Sequence, residues 1–185
     1  MRAFVAVEFP APLRDPVVAV QATLRAAGAD VTWVEPANLH LTLKFLGDVD
    51  DAKVPALTDA LRAAVQPHAA FTMTVEGIGA FPSTRSPKVV WVGVAADPSL
   101  LAALAEGVDR ACMALGFPSE TRPFAPHLTI GRVRSRRGLA PLVKALQTVE
   151  CLGGTPAPVD HVTLFQSTLS SKGPTYTPLA EFRLE

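Results

Sequence analysis

Two short stretches of the chain repeat one pattern, HLTL at residues 40–43 and HLTI at residues 127–130, and they decide the predicted fold. Each holds a histidine, an aliphatic residue, a threonine and a second aliphatic residue. Successive side chains of a β-strand point to opposite faces, so the histidine and the threonine of each stretch share one face. The aliphatic pair lies on the other face, where it can enter a core. The pattern therefore predicts two strands that each present an imidazole and a hydroxyl on the same side.

The repetition exceeds what the composition predicts. Three of the four histidines begin this pattern, because HVTL at residues 161–164 is a third copy, and only His68 stands outside it. If residues of this composition were placed at random, on the order of one chain in several thousand would have three of its four histidines in this pattern. The pattern therefore makes His40, His127 and His161 three candidates for two catalytic roles, a general base and a general acid.

Two imidazoles suit the hydrolysis of a phosphodiester or a cyclic phosphate. A base must activate the attacking oxygen and an acid must protonate the leaving oxygen, and imidazole, with a pKa of about 6.5, can do either at neutral pH. Threonine hydroxyls can donate hydrogen bonds to the phosphate oxygens. This chemistry predicts that two of the three candidate histidines are catalytic, that the threonines of the motifs, such as Thr42 and Thr129, bind the phosphate, and that no metal or cofactor is required.

The overall composition is that of one folded domain without net charge. The chain has 185 residues, 49% of them hydrophobic and 18% charged, with 17 basic and 17 acidic side chains. This composition excludes intrinsic disorder and bulk-charge coating of nucleic acid, while leaving room for a local anion site. No apolar run reaches the roughly 18–20 residues of a membrane span, and residues 1–16 favour a first strand over a signal peptide. Since Cys112 and Cys151 make neither a disulfide framework nor a zinc site, we expect a cytoplasmic protein.

Apolar periodicity and the positions of glycine and proline predict a mixed order of helices and strands. Several strands follow one another directly, which favours an α+β fold with antiparallel or mixed sheets and helices on their outer faces. The order of strand, helix and strands recurs in both halves and suggests two similar lobes. Strands are predicted at residues 2–9, 31–34, 39–46, 70–77, 88–95, 127–133, 159–166 and 178–184, helices at 13–27, 51–66, 98–115 and 139–147, and a loop at 81–88.

Longer segments around the two motifs resemble the 2H phosphoesterase superfamily. HLTLKFLGD at residues 40–48 and PHLTIGRV at residues 126–133 are similar to its paired motifs. The start RAFVAVEFP, the segment FPSTRSPKVVWVGV and the tail LFQSTLSSKGPTYTPLAEF are similar to the corresponding family regions. The closer resemblance is to the bacterial and archaeal branch, the RNA 2′,3′-cyclic phosphodiesterases once called 2′-5′ RNA ligases, and it covers nearly the whole chain.

This resemblance implies a fold, a reaction and a set of roles. Residues 1–185 would form a single bilobal domain in which each lobe gives one His-x-Thr strand to a central cleft. The reaction would be hydrolysis of a 2′,3′-cyclic phosphate to a 2′-phosphate, with His40 as proton donor to the 3′ oxygen and His127 as proton acceptor from water. Its reversal with a 5′-hydroxyl would make a 2′-5′ linkage. The resemblance also places Arg132 beside the phosphate, although strict alternation aims it at the opposite face unless a bulge or its long side chain intervenes.

Other residues have ordinary structural interpretations beside functional ones. We interpret His161 as a structural strand residue and His68 as a surface residue at a helix end. Lys44 shares the parity of His40, so a position in the cleft and one at its rim both stay open. The remaining alternatives are a solvated loop or RNA binding for Arg134, Arg136 and Arg137, and core packing or base stacking for Phe81 and Phe124.

The expected partner is an RNA with a cyclic phosphate end, bound by a monomer without a membrane. Three alternatives stay open. A small nucleotide cyclic phosphate, such as an ADP-ribose derivative, would fit the same cleft, and a non-catalytic RNA-binding module would tolerate the loss of both histidines. A metal site has weak support, because the histidines have no ligand residues at close spacing.

Overall fold

The computed structural model describes residues 1–151, 153–171 and 173–185. Lys172, in the tail segment quoted above, lies outside the described residues. The helices are α1 (Arg14–Arg25), α2 (Val54–Val65), α3 (Pro98–Met113) and α4 (Leu139–Thr148). The strands are β1 (Arg2–Glu8), β2 (Val31–Trp33), β3 (His40–Asp48), β4 (Phe71–Ser83), β5 (Ser86–Ala95), β6 (His127–Val133), β7 (Ala157–Val159), β8 (His161–Ser170) and β9 (Gly173–Arg183).

The strands form one antiparallel sheet whose order is β7-β4-β5-β6-β3-β1-β8-β9, with β2 added beside β6. The sheet has two similar halves. One half is β3-β1-β8-β9 and the other is β6-β5-β4-β7, and they join where Leu41 of β3 pairs with Leu128 of β6. The predicted α+β fold with two lobes is confirmed, and the joint between the lobes is formed by the two strands that carry the repeated motif.

One face of the sheet is covered by amphipathic helices, and the core lies between them. Helix α1 buries Val17, Val20 and Leu24, at the spacing of about 3.6 residues per turn that places them on one face. The helices α2 and α3 pack together and contact β9 and β3 of the first lobe, whereas α1 packs beside α4 and reaches β6 of the second. Burying each aliphatic side chain contributes about 1.5–3 kcal/mol. The helix-facing side of the sheet is thus filled by the core, which leaves the opposite face at the joint between the lobes to line a cleft.

The predicted loop at 81–88 is wrong. Strand β4 continues to Ser83 and β5 begins at Ser86, so a two-residue turn replaces the loop. Pro82 and Pro87 face each other across this hairpin. Proline lacks the N–H of a ladder bond and is tolerated at edge or irregular positions of a sheet. Here the pairing continues past the two prolines to Ser83 and Ser86, with a shift of register between Phe81 and Pro82. The final hairpin also extends further than predicted, to Ser170 in β8 and from Gly173 in β9.

None of the helices in the described part of the chain is both long enough and apolar enough to cross a membrane. The two cysteines, Cys112 and Cys151, are buried and unpaired in the core. Burial raises the pKa of the Cys112 thiol to about 11, which keeps it protonated at neutral pH.

Candidate active site at the joint of the two lobes

The two His-x-Thr motifs lie side by side on one face of the sheet. His40 is the first residue of β3 and His127 the first of β6, and these strands pair in antiparallel fashion at Leu41 and Leu128. One residue to either side of this pair, the antiparallel register puts His40 beside Thr129 and Thr42 beside His127. Directly opposed residues share a face with Cβ atoms about 4.5–5.5 Å apart. The joint therefore brings two imidazoles and two hydroxyls into one group, related by an approximate two-fold axis.

Both imidazoles are held by the same backbone contact. The Nδ1 atom of His40 lies 2.7 Å from the carbonyl oxygen of Asn38, and the Nδ1 atom of His127 lies 2.7 Å from that of Ala125. A carbonyl oxygen only accepts hydrogen bonds, so each Nδ1 carries the proton. The Nε2 atom of each ring is then the nitrogen that gains and loses a proton, which is the arrangement that acid–base catalysis requires.

Each motif is followed by a β-bulge. In the β1–β3 pair, Ala6 faces Thr42 and Val5 faces Lys44, so Leu43 is the extra residue. In the β5–β6 pair, Trp91 faces Thr129 and Val90 faces Gly131, which makes Ile130 the extra residue. A bulge shifts the alternation of side chains by one position. The residues that follow each motif therefore point opposite to the direction that simple alternation predicts.

The bulge after Thr129 turns Arg132 toward the cleft. Beyond Ile130, Arg132 pairs with Val89 of β5 and Thr32 of β2 and shares the face of Trp91 and Thr129. A bulge was one of the two features that could bring Arg132 to the face of the motif despite strict alternation, and the structure contains that bulge.

The bulge after Thr42 turns Lys44 away from the cleft, so neither the cleft nor the rim position is found. Lys44 is 4% exposed, and its Nζ atom donates hydrogen bonds to Oδ1 of Asp109 on α3 and to the carbonyl oxygen of Pro118. It shares its face with Val5, on the helix-covered side of the sheet. Parity with His40 is misleading here, because the extra residue Leu43 lies between them.

The ring of His40 lies in an aromatic pocket. Its centroid is 4.8 Å from that of Phe4 and 5.1 Å from that of Tyr176, which meets it edge-on. Burial lowers the pKa of His40, the Asn38 carbonyl opposes this, and the nearby Arg132 guanidinium lowers the pKa further. Burial also raises the pKa of Tyr176, and Arg132 partly offsets that shift. The charge of Arg132, on the second lobe, therefore lowers the pKa of two rings of the first lobe, His40 and Tyr176.

The ring of His127 has a different aromatic neighbourhood. Phe81 meets it edge-on with centroids 5.0 Å apart, and Trp91 lies 6.2 Å away. The indole of Trp91 covers Gly79, where an added Cβ would lie 2.1 Å from the indole ring. Phe81 is 40% exposed, so the wall beside His127 is open to solvent.

Comparison with known proteins agrees with this two-lobed arrangement. The LigT-like phosphoesterase family model matches the chain twice, over residues 7–91 and 92–176; the first match contains the His40 strand, and the second contains the His127 strand together with the third copy of the motif at His161. This chain belongs to the LigT-like phosphoesterase family. The resemblance drawn from the motifs is thereby confirmed.

Relatives and solved structures match most or all of the chain. An RNA 2′,3′-cyclic phosphodiesterase of Methanothermobacter thermautotrophicus is 41% identical over 187 residues, covering 100% of this chain and 99% of the relative. One from Aquifex aeolicus is 37% identical, covering 82% of this chain and 81% of the relative. The crystal structure of Escherichia coli LigT in its apo form superposes with a TM-score of 0.80 at 31% identity, covering 99% of this chain and 96% of that one. The crystal structure of TT0787 of Thermus thermophilus superposes with a TM-score of 0.82 at 29% identity, covering 99% of this chain and 97% of that one.

The third motif of this LigT-like phosphoesterase lies outside the central group. His161 begins β8, separated from β3 by β1, and its Nδ1 atom lies 2.7 Å from Oδ1 of Asp160. Its Nε2 atom lies 4.0 Å from Oε2 of Glu8. Thr163 is completely buried, and its hydroxyl has no hydrogen-bond partner among the described residues. The ring therefore faces carboxylates, and the hydroxyl cannot reach a ligand.

The remaining candidates lie around the cleft or in the core. His68 is half-buried against Gly107 of α3, so it is less exposed than the predicted surface position. Phe124 packs against the main core, as the structural interpretation predicts. Arg134 donates from Nε to the hydroxyl of Thr32 at 2.8 Å. Arg136 and Arg137 are exposed, which leaves both interpretations of the arginine cluster open.

Two residues that lie at the cleft, Phe45 and Tyr176, were not predicted from the sequence. Phe45 is 66% exposed and pairs with Phe4, whose ring centroid is 6.2 Å from its own. Tyr176 was quoted only within the tail segment, yet its ring covers His40. Phe45 lies five positions after His40, as Arg132 lies five after His127, and this shared spacing was the signal that could have found it.

Proposed function

We propose that this protein is a metal-independent RNA 2′,3′-cyclic phosphodiesterase that opens cyclic phosphate ends to 2′-phosphates. One observation carries the proposal: the antiparallel joint at Leu41 and Leu128 places two Nδ1-anchored imidazoles and two threonine hydroxyls on one open face. The relatives from Methanothermobacter thermautotrophicus and Aquifex aeolicus are named RNA 2′,3′-cyclic phosphodiesterases, which supports the substrate and the reaction class.

In this mechanism the two rings act in sequence on one phosphorus atom. His127 accepts a proton from water at Nε2 while the water oxygen bonds to phosphorus. The bond between phosphorus and the 3′ oxygen breaks, and that oxygen takes the proton from Nε2 of His40. Thr42 and Thr129 donate hydrogen bonds to the non-bridging oxygens, and Arg132 offsets the charge that develops on them. The product is a 2′-phosphate with a free 3′-hydroxyl.

The environment of His40 adds a condition to this mechanism. Burial and Arg132 lower the pKa of His40 in the free protein, so its neutral form is favoured. A phosphate anion bound beside the ring favours the charged imidazolium and opposes both effects. We infer that His40 gains its proton together with the substrate, whose negative charge creates the acid that the leaving oxygen needs.

Several finer properties belong to the same proposal. The reverse reaction with a 5′-hydroxyl would produce a 2′-5′ linkage through the same two rings. We place the protein in the cytoplasm as a monomer, since residues from both lobes of one chain meet in the cleft and both cysteines are free.

The direct test is hydrolysis of a short RNA that ends in a 2′,3′-cyclic phosphate. His40→Ala and His127→Ala should each lower turnover by about 10²- to 10⁴-fold while the protein stays folded, and the product of the wild type should carry its phosphate on the 2′ oxygen. His161→Ala is the matched control, because its ring faces carboxylates instead of the cleft. Near-normal turnover in either cleft variant, or strict dependence on a divalent metal, would contradict the two-imidazole mechanism.

A second candidate substrate is a small nucleotide cyclic phosphate. Escherichia coli LigT has been crystallised with 3′-AMP, a mononucleotide. Equal kcat/KM values for a mononucleotide and an oligonucleotide would favour the small substrate, whereas a clear preference for the oligonucleotide favours RNA ends. Retained RNA binding without hydrolysis would favour the non-catalytic binding module.

A further inference from the structure

A buried glutamine of helix α1 contacts the bulge that directs Arg132 into the cleft. Gln21 is 3% exposed, and it is one of three buried polar or charged residues in the described part of the chain, with Lys44 and Thr163. A polar amide among aliphatic side chains costs free energy unless its groups are hydrogen-bonded. The hydrogen-bond partners of the buried Gln21 amide therefore show what this side chain holds in place.

The Gln21 amide bridges the bulge to the end of strand β2. Its Nε2 atom donates to the carbonyl oxygen of Ile130 at 3.0 Å and to that of Val34 at 2.8 Å. The N–H of Val34 donates to the same Ile130 carbonyl, also at 3.0 Å. Both hydrogens of the amide group are thus used, and the carbonyl of the bulge residue accepts from two donors.

Ile130 is the residue that reverses the alternation of β6. Trp91 faces Thr129 and Val90 faces Gly131, so the bulge lies between the hydroxyl of the motif and the arginine. Without the extra residue, Arg132 would point to the helix-covered face. The position of the guanidinium therefore depends on the bulge, and the bulge is clamped from the helix side by Gln21.

We propose that Gln21 is a positioning residue for Arg132, acting through the backbone of Ile130. The inference rests on the proposed function, in which Arg132 stabilises the phosphate in the transition state. Gln21 touches neither the substrate nor the rings. Its two hydrogen bonds hold the bulge at the register that lets Arg132 share the face of Thr129.

The test is a double-mutant cycle between Gln21→Met and Arg132→Ala, with kcat/KM for a cyclic phosphate end as the readout. Methionine keeps the length of the side chain and removes both donors. Small displacements of a positioned group can lower rates by up to about a hundredfold, and we expect a loss of about tenfold for Gln21→Met. In the Arg132→Ala background the same substitution should change kcat/KM by less than about twofold, because the group it positions is absent.

A matched control separates positioning from loss of stability. Val17→Ala removes a fully buried side chain from the same helix without removing a hydrogen bond, and should lower stability but leave kcat/KM unchanged in both backgrounds. If Gln21→Met does not fold, Gln21→Asn keeps the amide but withdraws it by one methylene, and the same pattern is expected.

The outcomes distinguish this inference from the proposed function. Equal losses in both backgrounds, or no loss in the Gln21 variant of an active enzyme, would overturn the positioning role alone. Normal turnover in Arg132→Ala would overturn it as well, because nothing would then need positioning. A wild-type protein that leaves cyclic phosphates intact would overturn the proposed function, and the inference with it.

Discussion

The two lobes use the same local geometry and present different chemistry. Each has a His-x-Thr strand, a carbonyl two residues earlier that holds the ring, and a bulge directly after the threonine. Five positions after the histidine they diverge, since the first lobe has Phe45 and the second has Arg132. The shared features place the reacting groups symmetrically, whereas the divergent pair gives the cleft one apolar side and one charged side.

This asymmetry matches the asymmetry of a nucleotide. A terminal nucleoside phosphate has an aromatic base at one end and an anionic phosphate at the other. In the proposed function, Phe45, backed by Phe4, would stack on the base, while Arg132 would form charge-assisted hydrogen bonds to the phosphate. A symmetric pair of motifs can therefore bind its substrate in one orientation, which is needed if one ring is to act as the acid and the other as the base.

The largest difference between the lobes should come from removing the charge. Arg132→Ala should lower kcat by about 10²- to 10³-fold, the range for loss of one group that stabilises transition-state charge. Steady-state kinetics on a cyclic phosphate end would measure it. Arg134→Ala, just past the end of β6, is the control, since its guanidinium is already bonded to Thr32. A loss confined to KM would mean that Arg132 binds substrate without stabilising the transition state.

Removing the aromatic side should have a smaller and more selective effect. Phe45→Ala should raise KM by about 5- to 150-fold, because stacking of one base on an aromatic ring contributes about 1–3 kcal/mol. The kcat should change little. Leu169→Ala is the control, since Leu169 is 64% exposed near the tip of the last hairpin.

A substrate without a base sharpens this comparison further. Ribose 2′,3′-cyclic phosphate cannot stack, so Phe45→Ala and the wild type should hydrolyse it with equal kcat/KM. An equal loss on substrates with and without the base would show that Phe45 supports the fold of the cleft and does not bind the base.

Much of this comparison could be predicted from alternation alone. Strand β6 occupies His127–Val133, the predicted residues, and the shared face of each His-x-Thr pair follows from the period of two. The recurring order of strands and helices indicated two lobes. These features depend on local sequence, which a single chain displays directly.

The bulges could not be predicted, because a bulge is defined by the register of two strands that are distant in sequence. Leu43 and Ile130 are ordinary aliphatic strand residues, and nothing near them marks an extra position. For this reason Lys44 was assigned to the cleft or its rim when it packs against Asp109, and the direction of Arg132 stayed unresolved. Tyr176 could not be placed either, since its contact with His40 requires the last hairpin to fold beside β1.

The aromatic cover of one ring predicts a shift in the pH profile. Tyr176→Ala should admit water to His40 and raise its pKa, because burial is the main cause of the lowering. If His40 is the proton donor, the alkaline limb of kcat/KM moves to higher pH. Phe81→Ala, which uncovers His127 instead, is the control and should leave that limb in place. Movement of the acidic limb in Tyr176→Ala would assign His40 as the base and contradict the proposed roles.

The smallest expected effect is on stability. A histidine whose pKa is lowered by folding binds fewer protons in the native than in the unfolded protein, so its contribution is present above the unfolded pKa of about 6.5 and is lost as the pH falls below it. The slope for one group is at most about 1.4 kcal/mol per pH unit. Urea unfolding at pH 7.5 and pH 5.5 should therefore show a smaller loss of unfolding free energy in His40→Ala than in the wild type. The Leu169→Ala control should lose as much as the wild type. An identical loss in His40→Ala would mean that the aromatic pocket of Phe4 and Tyr176 leaves the proton affinity of the His40 ring unchanged.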